Sequence, residues 1–302
     1  MHAVIPSISV VIPAYNAEDT IELCLDSLMR LNYPKDRMEI LVIDNGSTDR
    51  TPDIIKNYPV RYLKEHKKGP GAARNKGIEN AKGDTIALLD SDCIVDENWL
   101  SEGEAGTNYF DISGGTILPY NPTNWIEVYC DKRKLLQNLK RCLECNYMPT
   151  ANMFVRKEVF QKIGKFDTAF QWAEDVDFSW RAFLAGFKLG ITNGAIVYLK
   201  YEVKLLDLYT QYFKYGYGIY FLKSKYDKLP LESEGKLRDA KSKLITLSPQ
   251  KIIMNFYWGI RDILKQKGSQ RTYRLVDAIR EGATLSGLYY AIYRERLAPF
   301  IK

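Results

Sequence analysis

Histidine is almost missing from this 302-residue chain: His2 and His66 are the only two. A metal centre built from three or more histidines is therefore excluded. No apolar run reaches the roughly 18 residues of a spanning helix. The start, MHAVIPSISVVIPAYN, lacks a basic region and a small-residue cleavage pattern, and reads as a strand ending at Pro13 rather than as a leader. Cysteine is scarce and odd in number, five, which argues for reduced thiols in a cytoplasmic protein. Cys142 and Cys145 form a C-x-x-C with Cys130 upstream, but no fourth cysteine or nearby histidine completes a zinc set, so a thiol pair is expected. Neither a G-x-G-x-x-G nor a Walker loop occurs, there is no internal repeat, and no nucleic-acid partner is expected.

What the chain does have is average apolar content, 46%, with 26% charged residues, the balance of an ordinary globular protein. The first hundred residues alternate β-rich runs with amphipathic stretches, which predicts an α/β fold with a mostly parallel sheet and crossover helices. Strands are expected at 7–13, 38–44, 60–63, 85–90, 111–118 and 151–155. Helices are expected at 17–31, 48–58, 71–81 and 175–185, the last with Val176, Trp180, Phe183, Leu184 and Phe187 on one face. Beyond about residue 203 the pattern is wholly helical, with helices at 204–226, 249–267 and 272–296 separated by the LPLESEG and KGSQ loops. Two parts follow: 1–202 as an α/β domain and 203–302 as a helical region. That region carries 19 Lys/Arg against 9 Asp/Glu and 11 of the 21 tyrosines. Such a mixture suits either an anionic membrane surface or acceptor, or simply a solvated helical face.

Three acidic or polar clusters fall just after expected strands, where a doubly wound sheet binds its ligand, and a fourth sits at a helix start. In IDNGSTD (43–49), Asp44 either accepts a hydrogen bond from a base or ribose, or merely stabilises the turn with Ser47. GPGAARNKG (69–77) opens a helix on glycines with Arg74 in its first turns, a setting for a diphosphate or an acidic base edge. In LLDSDCIVD (88–96), Asp90 and Asp92 stand two apart at the end of an extended strand, where they can share a hard divalent cation; a solvated loop is the other reading. In FQWAEDVDFSWR (170–181), Glu174, Asp175 and Asp177 crowd a helix start. The helix dipole or an Asp177–Arg181 i,i+4 pair explains one of them but not three, and a desolvated carboxylate there could take a proton from an attacking alcohol.

Together with TANMFVRKEVFQKIGKFDTAFQWAEDVDFSWRAFLAGFKLG, these motifs occur in order over about residues 8–190 and resemble glycosyltransferase family 2, inverting nucleotide-sugar-dependent enzymes of GT-A (Rossmann-like) fold. The resemblance implies that Pro13, Ala14 and Tyr15 line the base, Asp44 binds its edge, and Arg74 reaches the base or phosphates. It puts Asp90, with Ser91, near the ribose and donor, and Asp92 on Mg²⁺ or Mn²⁺ at the diphosphate. Asp175 becomes the general base, supported by Glu174 and Asp177. The donor is expected to be UDP, GDP or dTDP linked, and the acceptor a glycan or a polyprenyl-linked hydroxyl. The enzyme would then sit in the cytoplasm or peripherally at the membrane's cytoplasmic face. One departure stands out: where many relatives place a metal-binding histidine some 25 residues after the Glu-Asp pair, this chain has Lys200 and Tyr201, and Lys200 is expected to neutralise the diphosphate directly. Asn45 replaces a frequent second Asp. A binding scaffold that has lost activity is the alternative. A nucleotidyltransferase is disfavoured by the lack of its glycine-rich N-terminal loop.

Overall fold

A computed structural model of the chain describes residues 7–135, 139–199, 204–244, 249–264 and 273–297. Its elements run β1 (Ile8–Ala14), α1 (Ile21–Met29), β2 (Met38–Asp44), α2 (Thr51–Ile55), β3 (Arg61–Lys64), α3 (Pro70–Asn80), β4 (Thr85–Leu89) and β5 (Cys93–Val95). Then follow α4 (Trp99–Thr107), β6 (Ile112–Pro119), α5 (Trp125–Lys132), α6 (Leu139–Glu144), β7 (Asn152–Arg156), α7 (Lys157–Ile163), α8 (Glu174–Leu184) and β8 (Leu189–Leu199). Helices α9 (Leu205–Tyr226), α10 (Leu231–Leu244), α11 (Pro249–Leu264) and α12 (Tyr273–Leu297) close the chain. By contacts, the chain divides into two units, one made of residues up to 121 with 134–200, the other of 122–133 with the residues from 201 on.

In the first unit the described strands form one sheet in the order β3-β2-β1-β4-β7-β6-β8-β5. Strands β1 to β4 pair in parallel, while β7 runs antiparallel to both β4 and β6. β1, β2 and β4 are buried on both faces, which is why they read as unbroken apolar runs rather than alternating ones. Because β2 lies on one side of β1 and β4 on the other, the order reverses at β1, and the carboxyl ends of these three strands open a crevice. Helix α3 lies close over them. A Cβ built on Gly77 would stand 2.3 Å from Val11 Cγ1 and 2.8 Å from Ile43 Cδ1, so only glycine lets this helix approach the sheet. Gly77→Ala should cost about 1–3 kcal/mol by overpacking, read as a lower denaturation midpoint at unchanged m-value.

The sequence pattern misses several elements. Two strands, β5 and β8, form the far end of the sheet. The buried Asn152 amide donates to the carbonyls of Thr116 (3.0 Å) and Ala195 (2.8 Å) and accepts from the Trp99 indole (2.9 Å), satisfying the backbone where the β6–β8 register slips. Asp90 and Asp92 do not extend a strand: β4 stops at Leu89, and residues 90–92 form the turn into β5.

In the second unit, α10 occupies residues expected to begin as a loop, and α5, at 125–132, joins the C-terminal helices. The Tyr129 hydroxyl donates to Asp277 Oδ1 at 2.6 Å, and the Tyr129 and Tyr273 rings meet edge-on at 5.3 Å. α9 and α12 touch backbone to backbone: a Cβ on Gly216 would lie 1.8 Å from the Thr284 carbonyl, and one on Gly287 1.9 Å from that of Phe213. No helix among the described residues is long and apolar enough to cross a membrane.

Candidate active site

Each wall of the crevice is fixed by hydrogen bonds that the local sequence supplies. Asp44, 3% exposed, ends β2 and uses both carboxylate oxygens: Oδ1 accepts from the Ser47 amide at 2.9 Å and Oδ2 from the Tyr62 hydroxyl at 3.0 Å. Burial, and then the hydrogen bond to Asp44, pushes the Tyr62 hydroxyl up to about 12, so it stays a donor. The turn after Asp44 is tied to the turn after β1, since Ser47 Oγ accepts from the Asn16 amide at 3.0 Å and Asn16 Oδ1 from the Thr48 amide at 2.8 Å. Tyr15, directly after β1, is 55% exposed. Pro13 and Ala14 are the last two residues of β1, and Ala14 is buried; its carbonyl accepts from the Asn45 amide at 2.8 Å.

Asn45 acts as a clamp. Its side-chain amide donates to the carbonyls of Glu65 (3.0 Å) and Lys67 (2.8 Å), while Oδ1 accepts from the Gly69 amide at 2.8 Å. An ionised aspartate could accept the last bond but not donate the first two, which is a physical reason for asparagine here. Lys68, which the sequence reading passes over, is held by this loop with its ammonium 4.7 Å from the Tyr15 ring centre and 3.3 Å from the carbonyls of Asn45 and Gly46. Asn45→Asp should cost about 1–3 kcal/mol by orphaning two carbonyls and should weaken nucleotide binding. Thermal melting and calorimetry read the two effects separately.

The centre of the site is Arg74, only 4% exposed. One terminal nitrogen donates to Asp90 Oδ1 at 2.6 Å and the other to Glu174 Oε1 at 2.8 Å, while Nε finds no hydrogen-bond partner. Burial pulls this guanidinium toward neutrality, but the two carboxylates more than offset it, and it stays charged. The expectation that Arg74 reaches out to base or phosphates is therefore modified: its two terminal nitrogens are committed to joining α3, the β4 turn and the start of α8.

Helix α8 presents Glu174 and Asp175 at its first turn. Ala173, directly before them, sits in the left-handed region at φ 67°, an unfavourable place for a residue with a Cβ. Packing holds it there: Phe178 lies 4.9 Å from the Phe160 ring and 4.8 Å from that of Phe166, and the Trp180 indole donates to the Cys145 carbonyl at 2.8 Å. Asp175 is half-buried and accepts from the Val176 amide at 2.8 Å. Burial, and then the Glu174 charge, drives its carboxyl up to about 7, with Asp90 adding to the rise and Arg74 and the Val176 amide opposing it. That value lies in the range a general base needs near neutrality.

Asp177 stands apart from Glu174 and Asp175. It is fully buried and accepts from Arg181 Nε at 2.9 Å, and Arg181 in turn donates to the carbonyls of Ile163 and Lys165, both at 2.8 Å. Through Arg181 it ties α8 to the end of α7. Asp92 is exposed in the β4–β5 turn, with Ser91 and the partly exposed Asp90 beside it, and the charges of Asp90 and Asp92 help push the buried Cys24 and Cys93 thiols upward, second to burial itself. Lys200 lies outside the described residues. All five cysteines are free thiols, and no group of three or more His, Cys, Asp or Glu side chains is arranged to hold a metal ion among the described residues.

Asp90, Arg74, Glu174 and Asp175 thus form one bonded and electrostatically coupled group. Asp44 ends the strand two positions away in the sheet, about 10 Å across the intervening β1 at ordinary strand spacing. The crevice thus has an exposed aromatic and a buried carboxylate at one end, a paired arginine in the middle and a carboxyl of raised pKa at the other. Residues 9–164 match the family model Glycosyl transferase family 2, and the chain belongs to that family; it is a glycosyltransferase. Glycosyltransferase AglE of Haloferax volcanii is 32% identical over 205 residues, 65% of this chain and 67% of AglE. The poly(ribitol-phosphate) β-glucosyltransferase of Bacillus spizizenii is 45% identical over 95 residues, 29% of this chain and 15% of that protein. Among solved structures, mannosyltransferase PcManGT of Pyrobaculum calidifontis, in complex with GDP-Man and Mn²⁺, superposes with a TM-score of 0.66 at 16% identity, covering 96% of this chain and 88% of that one. S. aureus TarS 1–349 superposes with 0.58 at 17% identity, covering 96% and 91%. These structures share the GT-A fold. The family match stops at 164, short of Glu174 and Asp175, so the reading of those two residues rests on geometry.

Proposed function

We propose that the protein transfers a sugar from a nucleoside-diphosphate donor to an acceptor hydroxyl with inversion at the anomeric carbon, Asp175 serving as general base. The observation that carries this reading is the coupled group itself: a half-buried carboxylate whose pKa is driven up to about 7, set one residue from the Glu174–Arg74–Asp90 chain at the end of a nucleotide crevice. Tyr15 stacks on the base, and Asp44, already satisfied by Ser47 and Tyr62, offers its remaining lone pairs to the base edge. UDP, GDP and dTDP are the candidate carriers. Neighbours of this fold were solved with UDP and with GDP-Man, which supports the first two.

A divalent cation fits the β4–β5 turn. Mg²⁺ or Mn²⁺ is commonly held by one or two carboxylates with substrate phosphates filling the other positions, and Asp92, exposed two residues from Asp90, offers that donor set. When bound it would supply charge neutralisation at the departing diphosphate. The chain's own residues do the rest. Glu174 and Arg74 hold the start of α8 in register with the β4 turn, and Asp175 accepts the proton as the acceptor oxygen attacks from the side opposite the leaving nucleotide. Asp90, fixed by Arg74, borders the ribose.

The acceptor is a hydroxyl of a glycan or of a polyprenyl-linked glycan. The relatives' activity on poly(ribitol-phosphate) supports a polymer acceptor, and the basic, tyrosine-rich 203–302 region supports one presented at an anionic membrane. The test is release of free nucleotide from a panel of UDP-, GDP- and dTDP-sugars with Mn²⁺, with and without cell-derived acceptor. One carrier is expected to turn over, faster with acceptor. Binding without nucleotide release under any condition would make the protein a scaffold.

A further inference from the structure

The second unit carries an apolar groove that none of the chemistry above uses. Along α12, Ile279, Gly282, Ser286, Tyr289 and Tyr293 follow one another at steps of three and four residues, so they occupy one face of the helix, while Tyr290 beside them packs against Phe213 and Tyr217 of α9. At the start of this stripe, Ile279, Gly282 and Ser286 floor a cavity of about 430 Å³ walled by Tyr209 of α9 and by Ile252 and Ile253 of α11. Other apolar side chains of α11 and α12 are exposed as well. Ile253, Tyr257, Tyr289 and Tyr293 each expose 60% or more, and Met254 and Ile260 are exposed too. On α11, Ile253, Tyr257 and Ile260 again fall at steps of four and three. So large an exposed apolar strip calls for an occupant.

We propose that this face seats the protein on an anionic lipid bilayer, with α11 lying in the interfacial layer and the tyrosines of α12 at headgroup depth. The inference rests on the reading of a membrane-presented acceptor and identifies the surface that would meet the membrane. Two observations select lipid over a second copy of the chain. The segment from Val203 carries 19 Lys/Arg against 9 Asp/Glu, which attracts anionic headgroups and repels its own twin. The exposed strip is also dominated by tyrosine, the side chain suited to a layer apolar on one side and wet on the other, rather than by the leucine and phenylalanine of a dry interface.

The test is flotation of the full chain with vesicles of phosphatidylcholine alone or phosphatidylcholine with phosphatidylglycerol at three to one. Wild type is expected to float with the mixed vesicles, weakly with the neutral ones, and to keep part of its binding in high salt. The exposed triple variant Ile253→Ser, Tyr257→Ser, Tyr293→Ser should bind the mixed vesicles about tenfold less while melting at the wild-type temperature. The proposal is overturned if wild type stays with the dense fraction, if the triple variant floats equally well, or if light scattering finds a dimer that the variant splits. Nucleotide release without vesicles keeps the two questions apart: the variant should match wild type there, and absence of release from both proteins would reject the transferase reading whatever the flotation result.

Discussion

Asp175→Asn is expected to lower kcat by about 10²- to 10⁴-fold, the usual contribution of a positioned base, and at the same time to stabilise the protein above neutral pH. The sign follows from linkage. Asp175 has a folded-state pKa of about 7 against about 4 when unfolded. Between those values the unfolded chain has released a proton that the native state still holds, so raising the pH through this window erodes stability, and above 7 the whole cost is present. A shift of this size corresponds to about 2–4 kcal/mol once relaxation is allowed for. Asparagine removes the ionisation. The variant should therefore melt several degrees above wild type at pH 8, with the gain shrinking toward zero as pH falls to about 4. Equal melting at pH 8 would show that the carboxylate is not held against its own charge. In wild type, kcat/KM should rise with pH along a limb centred near 7.

Arg74→Met should have the largest effect on folding. The guanidinium is nearly inaccessible and joins Asp90 to Glu174. Without it, Glu174, itself buried, is left facing another carboxylate, and removing one partner of a buried ion pair commonly costs about 3–5 kcal/mol. For a chain of this length that is a fall in Tm of roughly 6–15 °C. The same change removes a charge that holds the Asp175 pKa down, so in whatever folded protein remains the acid limb of kcat/KM should move above its wild-type position. Arg74→Lys, which keeps the charge but reaches only one carboxylate well, should fall between. A Tm within a degree or two of wild type for Arg74→Met would contradict the network.

Much of the crevice was legible from residues alone because of where it lies. β1, β2 and β4 are buried on both faces and so announce themselves as apolar runs, and the polar residues that end them, Asp44 and Asp90, are conspicuous for following such runs. The glycines of 69–77 and the crowding of acids at 174–177 are local signals of the same kind. What could not be read is pairing at a distance. Arg74 and Glu174 are 100 residues apart, and nothing near Arg74 in sequence says that its charge is spent inside the protein. The pairing of Asp177 with Arg181, by contrast, is an i,i+4 contact and so was visible in the sequence. β8 escaped because its apolar residues are interrupted by Thr192, Asn193 and Gly194, and α10 because Gly235 and a nearly continuous polar sequence leave little helical stripe. The domain that the pattern ended near 202 also lends α5, whose tie to Asp277 spans 148 residues, to the C-terminal unit.

The central claim is a division of labour in one crevice, with Asp44 serving the nucleoside, Asp92 the cation and Asp175 the acceptor. Titration calorimetry of UDP, GDP and dTDP, each with and without Mn²⁺, into wild type and the variants Asp44→Ala, Asp92→Ala and Asp175→Asn tests it most directly. The account predicts that one nucleoside diphosphate binds one to one, that Asp44→Ala weakens it with or without Mn²⁺, that Asp92→Ala abolishes only the enhancement by Mn²⁺, and that Asp175→Asn leaves it unchanged. Binding of none of the three, or an Asp175→Asn loss as large as that of Asp44→Ala, would contradict it.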